Sequence, residues 1–150
     1  MRQLILASLL AAVPVIGFAD EAAENAIEAR EGYMKMLEIN MGTLAGMARG
    51  TIDYDPELAA TAGNNLDALG QYAMLGLFAA GSGPQDGADT DALPSVWENS
   101  ADFAAKYAAY TEAAAGAGET AGAGQDALGP LLQQLGGSCK ACHDDYRKRN

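Results

Sequence analysis

Histidine occurs once in the 150 residues, and cysteine only twice. A lone histidine leaves no second imidazole for acid–base work or for a second axial position on a metal. Two thiols and one imidazole also fall short of the four ligands of a structural zinc site. Basic residues are scarce, nine against 20 acidic ones, for a net charge of −11. Nucleic acid and anionic lipid are therefore poor partners. No stretch alternates apolar and polar residues as a strand does, so the βαβ setting of a thioredoxin-like thiol pair is missing. There is no phosphate-binding loop and no recognisable site of paired carboxylates, and the chain is not expected to be an enzyme. Long apolar runs are confined to the N-terminus.

That one run, Leu4 to Ile16, follows the positive start at Arg2 and precedes the small-x-small triplet Gly17-Phe18-Ala19. This is the pattern of a secretory signal peptide over residues 1–19, cleaved after Ala19; a retained anchor is the alternative, and the run is too short to span a bilayer. Residues 20–150 are of one-domain length and suffice for a sound core. Loss of Arg2 leaves eight basic residues against the 20 acids, a net of −12. Half of those eight (Lys140, Arg147, Lys148 and Arg149) lie in the last eleven positions. They are either ordinary cations at a helix C-terminus or a patch that steers an acidic redox partner.

The same end of the chain holds Cys139-Lys140-Ala141-Cys142-His143, the attachment pattern of a c-type haem. Each thiol adds across one of two vinyl groups on the porphyrin edge, and the following residue reaches the iron. On a helix Cys139 and Cys142 are i and i+3 and share a face. His143 sits beside that face, as the proximal ligand. Such attachment is made outside the bacterial inner membrane, so the expected address is the periplasm. That compartment would oxidise free thiols, and thioether bonds remove the hazard.

Four helices follow from the periodicity. The first runs from about Glu21 to Ala48, with a seam of Ile27, Met34, Leu37, Met41, Leu44 and Ala48 closed by Gly50. Arg30 interrupts the seam and needs a partner if buried. A haem propionate suits its guanidinium; snorkelling to the surface or pairing with nearby acids is the alternative. Asp55-Pro56 opens the second helix as N-cap and first residue, and Leu58, Ala62, Leu66, Leu69 and Ala73 mark its apolar face. Residues 79–94 are a long crossing loop. Ser95-Val96-Trp97-Glu98 has the form of a capping box and opens a third helix with Val96, Phe103, Tyr107, Tyr110 and Ala114 on one face. Residues 113–124, rich in alanine and glycine, are expected to be a frayed end and a loop. The fourth helix starts between Gln125 and Pro130 and carries Leu128, Leu131, Leu135, Cys139, Cys142 and Tyr146. These elements predict an all-α fold: an antiparallel up-down-up-down four-helix bundle with haem bound within it, between the first and last helices.

Three stretches make the chain resemble a class II c-type cytochrome, of the cytochrome c′ family. They are Gly136 to Arg147 around the haem motif, the first helix from Glu28 through Gly50, and Val96-Trp97. The resemblance implies one covalent haem c on Cys139 and Cys142, with His143 proximal, Arg30 near a propionate and Arg147 near the proximal histidine. It places Met34 at the distal face of the iron. There the family divides into low-spin members with a methionine ligand and high-spin members with an open site for nitric oxide or carbon monoxide. For this chain the two functions that follow are single-electron carriage between periplasmic redox proteins, with Met34 as sixth ligand, and binding of a diatomic gas beside an unligated Met34. Family members are often dimers through the first two helices. Ala45, Ala59 and Ala62 would permit that contact and are equally ordinary helix filler.

Overall fold

The computed structural model describes residues 16–149. Of the expected signal peptide, residues 1–15 lie outside the described residues, and the backbone of Ile16–Ala19 continues the first helix.

Helix α1 spans Ile16–Ala48. It ends where Gly50 takes φ +70°, a left-handed conformation that glycine adopts without penalty. The Gly50 N–H donates to Met47 O at 3.1 Å. Helix α2, Pro56–Gly70, begins as its sequence requires: the Asp55 carboxylate accepts from the N–H groups of Glu57 and Leu58 at 2.9 and 3.0 Å. Such a cap is worth about 1 kcal/mol. The chain then crosses the bundle through short 3-10 turns at Met74–Leu77 and Pro84–Asp86. Four more helices follow: α3 Ser95–Glu98, α4 Ser100–Ala114, α5 Ala117–Gly122 and α6 Gln125–Tyr146. The long helices α1, α2, α4 and α6 form the four-helix bundle, and no strand occurs among the described residues.

Several local expectations are corrected. Ser95 makes no capping bond; Pro94 holds the cap position, and the Ser95 hydroxyl donates instead to Asp145 O at 2.9 Å. That bond ties the start of the third helical segment to the end of α6. The segment also breaks at Asn99, which leaves the helical region at φ −119° and ψ 43°. Ala113 and Ala114 do end a helix, α4, but residues 117–122 are not loop: they form α5, which packs directly on α2. The two backbones meet at Gly63 and Gly118, where no side chain keeps them apart. The fourth helix starts at Gln125, the early limit of the expected range, which puts Pro130 inside α6 on an exposed face.

The buried seam of α1 is rotated slightly from the sequence pattern: Tyr33 and Met47 are buried and Ala48 is exposed. A straight helix drifts from a 3.5-residue repeat, and the drift brings the larger side chains inward. On α2, Leu58 is exposed while Ala59 and Ala62 are buried in the core. Those two alanines are helix filler against this chain's own interior. One core cluster joins Leu44, Met47, Leu66, Leu128 and Leu135. A second joins Tyr33, Met74, Val96, Phe103 and Tyr146. Full burial of each large side chain contributes about 1.5–3 kcal/mol.

Candidate haem site

Helix α6 carries the leucine stripe Leu128, Leu131 and Leu135 into the core. The same 3.6-residue period therefore turns Cys139 and Cys142 inward, half-buried. They border a cavity of about 660 Å³, within the range of sites for molecules of cofactor size. His143, Met34 and Arg30 line the same cavity. All five residues singled out in the sequence thus meet at one place, between α1, α4, α6 and the crossing segment.

The cavity fits a flat, mostly apolar group that carries acidic substituents. Leu37, Val96, Phe103 and Tyr107 supply apolar wall. Both thiols are unbridged, and burial pushes each above the ordinary thiol value, Cys142 to about 11. Burial also holds the His143 imidazole below its usual value, and the neighbouring Arg147 guanidinium adds to this, against Asp144. An imidazole kept neutral is in the form that binds a metal. Arg147 stands beside His143, with its backbone N–H bonded to His143 O at 3.2 Å.

Arg30 is only 4% exposed, yet no carboxylate among the described residues lies within ion-pair distance of it. Its guanidinium donates to Ser82 Oγ at 2.9 Å, Ser82 O at 2.7 Å, Thr90 Oγ1 at 2.7 Å and Leu77 O at 3.4 Å. It also lies 5.0 Å from the centre of the Phe78 ring. Desolvation accordingly lowers its pKa, with Glu31 opposing. A buried cation satisfied only by neutral oxygens and an aromatic face is short of an anion. A propionate would supply one.

Several residues that shape the site carry no signal in sequence. Ser82, Thr90 and Phe78 come from the crossing segment, which has no periodicity to read. The end of that segment pairs with the tail of the chain: Leu93 N–H donates to Tyr146 O at 3.0 Å, and Lys148 N–H to Asp91 O at 2.8 Å. The C-terminal cations are partly neutralised, Arg147 by Asp91 and both Lys140 and Arg149 by Asp144. Exposed pairs of this kind contribute little to stability.

The family model described as Cytochrome C' matches residues 25–147. Cytochrome c′ of Cereibacter sphaeroides is 39% identical over 147 residues, which cover 98% of each chain. The solved cytochrome c′ from Rhodobacter Spheriodes superposes with a TM-score of 0.80 at 38% identity, covering 85% of this chain and 98% of that one. A variant of cytochrome c prime from Alcaligenes xylosoxidans, solved as its nitric oxide complex, gives 0.72 at 26% identity, covering 85% of this chain and 97% of that one.

Fold, cavity and comparisons together define a class II c-type cytochrome. The chain belongs to the cytochrome c′ family. It is a monohaem protein with one covalently attached haem c, and its work is electron transfer or gas binding.

Proposed function

We propose that this protein carries single electrons in the periplasm. Cys139 and Cys142 would hold the haem by thioethers, His143 and Met34 would supply its iron ligands, and Arg30 would meet a propionate. The haem would supply one-electron exchange between ferric and ferrous iron. The residues around it would fix its position and shield it from water.

The observation that carries this reading is the position of Met34. Met34 and Cys142 pack on the same apolar cluster, with Phe103 and Tyr146. Two other methionines border the cavity, Met41 and Met74. Met41 packs on the other cluster, with Leu44 and Leu66, and Met74 is buried as core. A thioether is a soft, neutral ligand that suits both oxidation states of haem iron. Carriage rather than catalysis agrees with a chain that has no second imidazole to move protons. The N-terminal leader pattern supports the periplasmic address, and no helix among the described residues is long and apolar enough to cross a membrane.

A second reading, an open distal site for a diatomic gas, is favoured by the nitric oxide complex of the Alcaligenes relative. Absorption spectra of the ferric and ferrous protein, with and without carbon monoxide, decide between the two. Low-spin spectra that ignore the gas, and become high-spin in Met34→Ala, support carriage. A high-spin spectrum that shifts with carbon monoxide, and is unchanged in Met34→Ala, replaces it with gas binding. A homodimer remains part of the proposal, because Met36 and Ile39 on α1 and Leu58 on α2 are exposed apolar side chains. Sedimentation of the holoprotein as a monomer across the micromolar range would remove it.

A further inference from the structure

The contact between α4 and α6 holds a charge arrangement that neither the attachment motif nor the cavity walls account for. Lys106, on α4, lines the cavity, and its Nζ lies 2.7 Å from Asp145 Oδ2 on α6. One turn earlier on α4, Asp102 accepts a 2.6 Å hydrogen bond from the Tyr146 hydroxyl. These two cross-links join the same pair of helices, and on α6 they fall within four residues of Cys142. They fasten the turn that presents Cys142 and His143.

The Lys106–Asp145 pair is also polarised. Lys106 borders the cavity and its side chain is 26% exposed, whereas Asp145 is outside the lining and its side chain is 55% exposed. The lysine therefore belongs to the cavity wall, and the carboxylate is the more water-exposed partner. Water screens the more exposed charge more strongly. At the cavity the pair acts as a net positive charge.

We propose that Lys106 sets the redox potential of the haem, with Asp145 as the positioning residue that holds its ammonium against the cavity. This rests on the reading of Cys142 and His143 as haem residues. Ferric haem carries one positive charge more than ferrous haem, so a fixed cation nearby disfavours the ferric form. On reduction the iron gains one electron from the external donor, and Lys106 keeps its proton. Lys106 thus raises the midpoint potential, and Asp145 offsets part of that rise.

Spectroelectrochemical titration of the holoprotein tests the assignment by sign. Lys106→Gln should lower the midpoint potential, Lys106→Arg should stay at the parent value, and Asp145→Asn should raise it. Asparagine can still accept a hydrogen bond from Lys106, so that variant removes charge and keeps the contact. A cross-link with only a structural role is weakened in both Lys106→Gln and Asp145→Asn, and would move the potential the same way in each. Shifts of the same sign, or no shift in either, overturn the proposal. If Lys106→Gln does not accumulate, a potential in Asp145→Asn at or below that of Lys106→Arg overturns it, and one above supports it. Pyridine haemochrome spectra keep the two inferences apart. A parent protein without thioether-bound haem sinks the site reading and the Lys106 assignment with it, whereas fully loaded variants with the wrong signs sink the assignment alone.

Discussion

Arg30 on α1 and Ser82 in the crossing segment are 52 residues apart and share two hydrogen bonds, to the serine hydroxyl at 2.9 Å and to its carbonyl at 2.7 Å. Ser82 is itself fully buried, and its hydroxyl donates onward to Ala79 O at 2.8 Å. The guanidinium fork thus anchors one wall of the cavity to α1. Ser82→Ala leaves a charged donor short of one acceptor and should cost about 1–3 kcal/mol in denaturant unfolding of the holoprotein. Arg30→Lys should cost more, because a single ammonium cannot reach Ser82 and Thr90 in the geometry of the fork. A Lys variant as stable as the parent would show that the fork is not needed.

The C-terminus of α2 is capped from another helix. The Tyr107 hydroxyl lies 3.0 Å from Leu69 O, 3.3 Å from Gly70 O and 2.7 Å from Tyr72 O. Tyr33 reaches Leu69 O at 2.9 Å, and Thr111 reaches Gly70 O at 2.9 Å. The last carbonyls of a helix have no partner within it, so these side chains replace the missing donors. Tyr107→Phe should lower stability by about 1–2 kcal/mol. The midpoint of denaturation should move while the slope stays unchanged.

The candidate haem residues are legible in sequence because the proposed chemistry is local. Cys139, Cys142 and His143 are fixed by spacing on one helix, and the leucine stripe before them gives the direction they face. Arg30 and Met34 were legible as a charge and a thioether on an apolar seam. What lay hidden depends on contacts distant in sequence. Ser82 and Thr90 sit in a stretch without period, and only the folded chain brings them to Arg30. Residues 113–124 looked like loop because alanine and glycine carry little pattern. Their helix shows only once Gly63 is seen to admit its backbone. Ser95 had the right spacing to Glu98 for a capping box, yet the carbonyl of Asp145 on another helix took its hydroxyl. Nothing in sequence places Lys106 opposite Asp145.

Alkaline pH should destabilise the protein through its tyrosines. Burial raises the phenols of Tyr33, Tyr107 and Tyr110 above the ordinary value of 10.0. The hydrogen bond to Asp102 is the main cause that pushes Tyr146 up to about 12. The sign follows from linkage: a phenol raised in the fold favours the folded state while it is protonated. That contribution is complete below the unfolded value of 10.0 and is lost as pH rises through the folded value, about 12 for Tyr146. Thermal unfolding temperatures should fall from about pH 10 upward. Tyr146→Phe should flatten the fall between pH 10 and about 12; an unchanged slope would show that the Asp102 bond does not govern its ionisation.

The meeting of α2 and α5 gives the sharpest steric test. A Cβ on Gly63 would collide with the carbonyl oxygen of Ala117 and lie 2.6 Å from Gly118 N. Both are backbone atoms, so no rotamer change relieves the overlap. Gly63→Ala should therefore separate the two helices and cost about 1–3 kcal/mol, the usual price of overpacking. Gly42, exposed in α1, has nothing within 4 Å of the same atom. There alanine only restricts the unfolded chain and favours helix, so Gly42→Ala should stabilise by about 0.5–1 kcal/mol. The two substitutions add the same methyl group to helical glycines, and their opposite signs would separate close packing from helix propensity. If both stabilise, α5 does not press against α2, and residues 117–122 are held less tightly than the Gly63–Gly118 contact implies.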